Sequence, residues 1–159
     1  MTVRGITAQR IDHIEVHVPD RYEAAAWYEQ ILGLEILTDP VFTWAAQLPN
    51  GPVFVGNPSR TVQVSLFEGE PLGDREPIGQ VQTCFNVDAR TFLQFMSLLP
   101  ELNLRDRFGN IVSEALIADH RIGWAFYFID PWGNRYELNT WDYTIVAEEV
   151  ALRAQLKKA

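Results

Sequence analysis

Cysteine is almost missing from this chain: Cys84 stands alone among 159 residues. A lone thiol cannot close a disulfide within the chain, and its solitude fits a reducing compartment. Positive charge is short as well. Lys and Arg together number 13 against 21 Asp and Glu, for a net charge of −8. Nucleic-acid binding needs a basic face, so no nucleic-acid partner is expected. No apolar run approaches the roughly 18 residues of a membrane span, so no membrane partner is expected either. Residues 1–9 lack the apolar core of a signal peptide. The expectation is a soluble, cytoplasmic protein. Histidine is sparse too: none lies between His17 and His120.

What the chain does have is material for a core, with 47% hydrophobic and 12% aromatic residues. At this length one domain, 1–159, is the default. Residues 11–18, IDHIEVHV, alternate. Ile14, Val16 and Val18 share one face, and His13, Glu15 and His17 share the other, as on a half-buried strand. Asp20 then caps a helix, with Glu23 placed for a capping box. Ala24, Trp27, Tyr28 and Ile31 form its apolar stripe, and Gly33 its stop.

The same order returns about seventy residues later. Residues 81–87, VQTCFNV, alternate with Gln82, Cys84 and Asn86 on one side. Asp88 caps a second helix whose stripe is Phe92, Phe95, Met96 and Leu99. Two strand–Asp–helix units predict an internal structural repeat. After the first helix come LEILTDP, VFTWAAQL and TVQVSLFE, all strand-like, with a Pro- and Gly-rich loop PNGPVFVGNPSR before the last. After the second come residues 111–117, GWAFYFID and NRYELNTW. Each half reads as β-α-β-β-β: module one 10–68, linker 69–79, module two 80–142, and a C-terminal helix 143–158 whose Lys157 and Lys158 suit the helix dipole. The sheet faces away from the helices carry His, Gln, Glu, Tyr and Trp rather than Lys and short polar residues. Gln63, Ser65 and Phe67 lie on one such face; Arg135, Glu137, Asn139 and Trp141 lie on another. That composition suits a ligand trough. Taken alone, His13 reads equally as a half-buried strand histidine, and Glu137 as the ion-pair partner of Arg135.

IDHIEVHVPDRYEAAAWYEQILGLEIL and YFIDPWGNRYEL resemble the vicinal oxygen chelate superfamily, which includes glyoxalases, bleomycin-resistance proteins, fosfomycin-resistance enzymes and extradiol dioxygenases. The resemblance spans residues 10–142. It implies an α+β fold of two βαβββ modules forming a curved, cup-like mixed sheet. It also implies one divalent metal ion (Zn, Ni, Mn or Fe(II)) acting on a small substrate with vicinal oxygens, and commonly a homodimer.

Carried over by position, the resemblance implies metal ligands at His13, Gln82 and Glu137. The fourth ligand position of glyoxalases falls at Ser65, with Gln63 two residues away. Gln82 stands where the family usually has His. The run H-x5-F-Y-x2-D-P-x-G-x3-E, from His120 through Tyr127 and Asp130 to Glu137, almost matches the extradiol dioxygenase signature. In that family the matching His and Tyr hydrogen-bond substrate. His120, Tyr127 and Glu15 are thus the implied catalytic groups, and His17, Ser65, Asn139 and Trp124 the implied substrate contacts. The implied activity is metal-dependent proton transfer of the isomerase or lyase type, with ring cleavage ranked lower because a second His ligand is missing. The alternative is a metal-free antibiotic-binding protein of the bleomycin-resistance kind, with a Trp-lined acidic groove.

Overall fold

The computed structural model describes residues 12–69 and 82–156. The chain divides into two compact units, Met1–Leu72 and Gly73–Ala159. The first contains β1 (Ile14–Val18), α1 (Arg21–Leu32), β2 (Glu35–Ile36), α2 (Pro40–Gln47), β3 (Val53–Gly56) and β4 (Gln63–Glu68). The second contains β5 (Thr83–Asn86), α3 (Ala89–Leu102), β6 (Ala118–Asp119), β7 (Trp124–Ile129), β8 (Arg135–Thr140) and α4 (Tyr143–Leu156). The fold is α+β. Each unit has one four-stranded mixed sheet, ordered β1-β4-β3-β2 in the first and β5-β8-β7-β6 in the second. In both, the opening strand runs parallel to the last, and the other pairings are antiparallel.

The helix signals act as the sequence implies. The Asp20 carboxylate accepts from the backbone N–H groups of Tyr22 and Glu23 at 2.8 and 3.0 Å. Asp88 accepts from Thr91 N–H at 2.8 Å. Backbone donors hold both carboxyls below the usual carboxylate range. Gly33 ends α1 with φ +65°, a conformation that suits its missing Cβ. Ala24, Ala25, Tyr28 and Ile31 of α1 are buried, as are Val53, Val55, Val64 and Leu66 on the sheet; Trp27 is only half-buried. In the second unit Phe92 stacks on Phe126 at 5.2 Å, and Phe95 meets Phe126 and Phe128 at 6.0 and 5.9 Å. Each buried Phe is worth roughly 1.5–3 kcal/mol of transfer free energy.

Two expectations in the first half fail. VFTWAAQL forms helix α2 rather than a strand. Pro40, fixed in φ and without an N–H, suits a first helical turn, and Ala45 and Ala46 favour helix over sheet. The missing strand, β3, lies inside the segment expected to be a loop. Its VFVG core is β-branched and aromatic, and the flanking Gly and Pro residues mask it. In the second half, 111–117 holds a bridge at Ile111 and a single 3-10 turn, and the strand begins at Ala118. Apart from Gly69, the expected linker 69–79 lies outside the described residues, as do Lys157 and Lys158.

Both inner hairpins are set by an Asx side chain. Asn57 accepts from the N–H groups of Thr61 and Val62 at 2.9 and 3.1 Å. Asp130 accepts from those of Trp132 and Asn134 at 3.0 and 2.8 Å, and from the Asn134 amide at 2.7 Å. Gly133, at φ +88°, completes that turn. Asp130 is 1% exposed. Burial pushes its carboxyl up, and the Asn134, Trp132 and Tyr136 donors oppose that.

Candidate functional site

The turn at Asp130 fixes the register of β8 against β7. Glu137 lies opposite Tyr127 on one side and opposite Cys84 of β5 on the other. Alternation sends Tyr136 and Leu138 into the core, where Tyr136 packs on Phe85 and Phe128 at 5.9 and 5.7 Å. Arg135, Glu137 and Asn139 take the other face. Gln82, one residue before β5, donates its amide N–H to Glu137 Oε2 at 2.9 Å. The ion pair with Arg135 that the sequence allows is replaced by this contact.

Cys84 is the register partner of Glu137 on β5. It is exposed, yet its thiol is pushed up to about 11, by partial desolvation first and then by the neighbouring Glu137 carboxylate. Tyr127 is raised as well, by burial and then by the charges of Glu137 and Cys84. Its hydroxyl lies 2.8 Å from His120 Nε2. Which of the two donates follows from the His120 tautomer. Asn139 continues the same face and accepts from the Asn86 amide at 2.8 Å. Gln82, Glu137, Tyr127, His120 and Asn139 thus share one surface. Trp124 does not: it is buried beside Phe126, stacks on Tyr143 at 5.4 Å and donates to the Tyr143 carbonyl.

A cavity of about 470 Å³ adjoins this surface, lined by Gln82, Tyr127, Ile129 and Arg135 of this sheet face, by Phe128 and Tyr136 of the core-side face, and by Asp106, Arg107, Phe108 and Leu116 from the segment after α3. Cys84 and Arg135 were placed on these faces by the sequence but given no site role, and Arg107 had no place in the sequence reading. The alternation of Gln82, Cys84 and Asn86 was the available signal for Cys84. Arg107 comes from a loop, where periodicity gives none.

In the first unit, β1 brings His13, Glu15 and His17 to one face. His13 Nδ1 meets Asp12 Oδ2 at 2.9 Å. A carboxylate partner selects the Nδ1–H tautomer and leaves the lone pair on Nε2. The His13 ring meets the edge of Phe54 at 5.5 Å, and Phe42 of α2 packs on Phe54 at 4.9 Å. His17 stacks on Phe67 at 5.8 Å and lies 3.9 Å from the Glu15 carboxylate. Ser65 is fully buried opposite Glu15 and donates to the Ile14 carbonyl at 3.4 Å. Among the described residues no three His, Cys, Asp or Glu side chains cluster closely enough to hold a metal ion.

No family model matches the chain, and no curated protein does. Solved structures do. A glyoxylase/bleomycin resistance protein/dioxygenase domain from Frankia sp. EAN1pec is 19% identical, with a TM-score of 0.62 over 84% of this chain and 93% of that one. The oxidase ChaP-H2 is 24% identical, with a TM-score of 0.59 over 87% and 97%. The fosfomycin resistance protein FosX from Mesorhizobium loti is 17% identical, with a TM-score of 0.57 over 83% and 91%. The likeness to the vicinal oxygen chelate superfamily implied by the sequence is present in the structure, and at these identities it is a likeness of fold.

Proposed function

We propose that this chain, which has the fold of the vicinal oxygen chelate superfamily, is a small-molecule enzyme working with one divalent cation (zinc, nickel, manganese or ferrous iron) held by His13, Gln82 and Glu137. The observation that carries this reading is the 2.9 Å contact between Gln82 and Glu137. Two side chains 55 residues apart, each at a position implied as a ligand, meet on one sheet face. Turning the Gln82 amide about its last torsion presents its oxygen beside that of Glu137, a hard donor pair suited to such a cation. His13 enters through the resemblance. Its Nδ1 is held by Asp12 as metal-binding histidines are held by an outer carboxylate, with Nε2 left as donor.

When bound, the cation supplies Lewis acidity to paired substrate oxygens. The chain's own residues do the rest. Tyr127 keeps its proton and can donate it in a hydrogen bond, with His120 Nε2 fixing the hydroxyl's direction. His120 and Glu15 are the candidate bases. Proton transfer of the isomerase or lyase type is favoured over ring cleavage, because Gln82 stands where a second His ligand is needed. A homodimer belongs to the same proposal, with Ile145, Leu152 and Leu156 exposed on α4 as its apolar contact; light scattering tests it. So does a cytoplasmic location. The structure bears on location only in that no described helix is long and apolar enough to cross a membrane.

Titration calorimetry with the four cations tests the reading. One saturable site is expected, lost in Glu137→Gln and weakened in His13→Ala. A second reading, a metal-free binder, is favoured by the way the Gln82 amide already donates to the Glu137 carboxylate. Absence of heat with every cation would select it.

A further inference from the structure

The cavity beside Glu137 has a chemistry that the metal reading leaves unused. Its sheet side ends in Arg135, on the Glu137 face and opposite Ile129. Its other side carries Arg107, whose guanidinium sits 4.5 Å from the centre of the Phe108 ring. Both arginines line the same space. Among the described residues neither is in an ion pair, a state they share with Arg90, Arg105 and Arg121, whereas Arg21, Arg60 and Arg153 are paired; what sets Arg107 and Arg135 apart is that one cavity takes both. The carboxylate nearest by sequence is Asp106, whose oxygens are taken by the N–H groups of Phe108 and Asn110 and by the Asn110 amide. Of the remaining walls, Phe108, Leu116, Phe128 and Ile129 are apolar, and Gln82, Tyr127 and Tyr136 bring polar groups. Phe108 is 74% exposed and Leu116 43%, large side chains left uncovered at the edge of a cavity.

Guanidinium groups without carboxylate partners, set among apolar side chains, fit an oxyanion carried on an apolar body. The volume suits a single small molecule. We propose that this cavity is the substrate pocket of the site described above, that its substrate is an amphipathic oxyanion, and that Arg107 and Arg135 hold the anionic head while Phe108, Leu116 and Ile129 cover the apolar body. The substrate's far end then reaches Gln82 and Tyr127, which line the same cavity. The inference rests on the proposed small-molecule function and adds the substrate class to it.

Calorimetry on the whole chain, in a chelator and without added metal, tests the pocket separately from the cation. The probes are 2-naphthoate, phenyl phosphate, the neutral 2-naphthamide and inorganic phosphate. Saturable binding of naphthoate or phenyl phosphate is expected, the tighter of the two naming the head group, with naphthamide and inorganic phosphate at least tenfold weaker. Arg135→Met and Arg107→Met should each weaken the better probe about tenfold, the loss of a charge-assisted hydrogen bond. Phe108→Ala should weaken it severalfold, and both arginine variants should retain the wild-type melting temperature. Equal binding of naphthamide overturns the proposal, as does arginine-independent binding or no saturation at millimolar concentration. Anion binding here with no heat from any cation would sink the metal reading alone. Cation binding with no anion binding would sink this one alone.

Discussion

The two sheets share one strand order and one pattern of pairing, yet their uncovered faces carry different chemistry. At matching places in the register, the first has Glu15 opposite Ser65 opposite Phe54, and the second has Cys84 opposite Glu137 opposite Tyr127. The carboxylate lies on an edge strand in the first and on an inner strand in the second. An inner position has neighbours on both sides, which is why Glu137 collects Gln82, Cys84 and Tyr127, whereas Glu15 has only Ser65 across from it and His17 along its own strand. The same backbone therefore yields a carboxylate held among donors in one unit and an exposed one in the other.

Exchanging the central residues should break the comparison most visibly. Glu137→Ser, which copies the first sheet, is expected to weaken divalent-cation binding more than about 100-fold, roughly 2.7 kcal/mol. The reverse change, Ser65→Glu, puts a charge at a fully buried position with only a backbone carbonyl beside it. It should cost about 3–5 kcal/mol in denaturant unfolding. If Ser65→Glu proves neutral, the two faces differ less than their burial says.

The hairpin turns give the next contrast. Asp130→Ala strips buried N–H groups of their acceptor and should cost about 2–3 kcal/mol, against about 1 kcal/mol for Asn57→Ala at an exposed turn. Only the first of these turns is pH-dependent. Burial raises the Asp130 carboxyl, so the folded state prefers its protonated form. The stability it contributes is full below the ordinary carboxylate range and lost as pH rises through the raised value. Unfolding measured against pH should show that loss in the wild type and not in Asp130→Asn. The helix caps behave oppositely and alike in both units. Asp20 and Asp88 have lowered values, so their contribution is present above the ordinary carboxylate range and lost as pH falls through the lowered ones. Replacing either by Asn should remove a similar share of the acid sensitivity.

These contrasts also mark what the sequence could and could not convey. Local signals were legible: Asp20 and Asp88 as caps, the buried stripe of Phe92, Phe95, Met96 and Leu99, and the Asp130–Gly133 turn with Glu137 beyond it. Each depends on residues within one helix or one hairpin. The α2 segment was misread because Val41, Phe42, Thr43 and Trp44 have strand propensity, which Pro40 and the following alanines override. Trp124 was misplaced because the composition of an aromatic strand does not say which face each ring takes. The contact of Gln82 with Glu137 depends on β5 pairing with β8, a non-local register that a single chain's periodicity does not specify. Arg107 reaches the cavity from a loop with no period at all.

The smallest effect isolates the carboxylate's reach. At pH 8 the Cys84 thiol, with its value near 11 against an ordinary 9.0, carries about 100-fold less thiolate than an unperturbed one. Higher intrinsic nucleophilicity recovers part of that, so alkylation by iodoacetamide should run about tenfold slow. Burial is the larger cause and Glu137 the second, so Glu137→Gln should recover only part of the rate. A thiol placed at the equivalent position of the first sheet, by Glu15→Cys with Cys84→Ser, would face Ser65 instead of a carboxylate. It should alkylate at close to the ordinary rate. Equal rates for the two thiols would mean that burial alone suppresses Cys84, and that Glu137 exerts no field on its neighbours across the sheet.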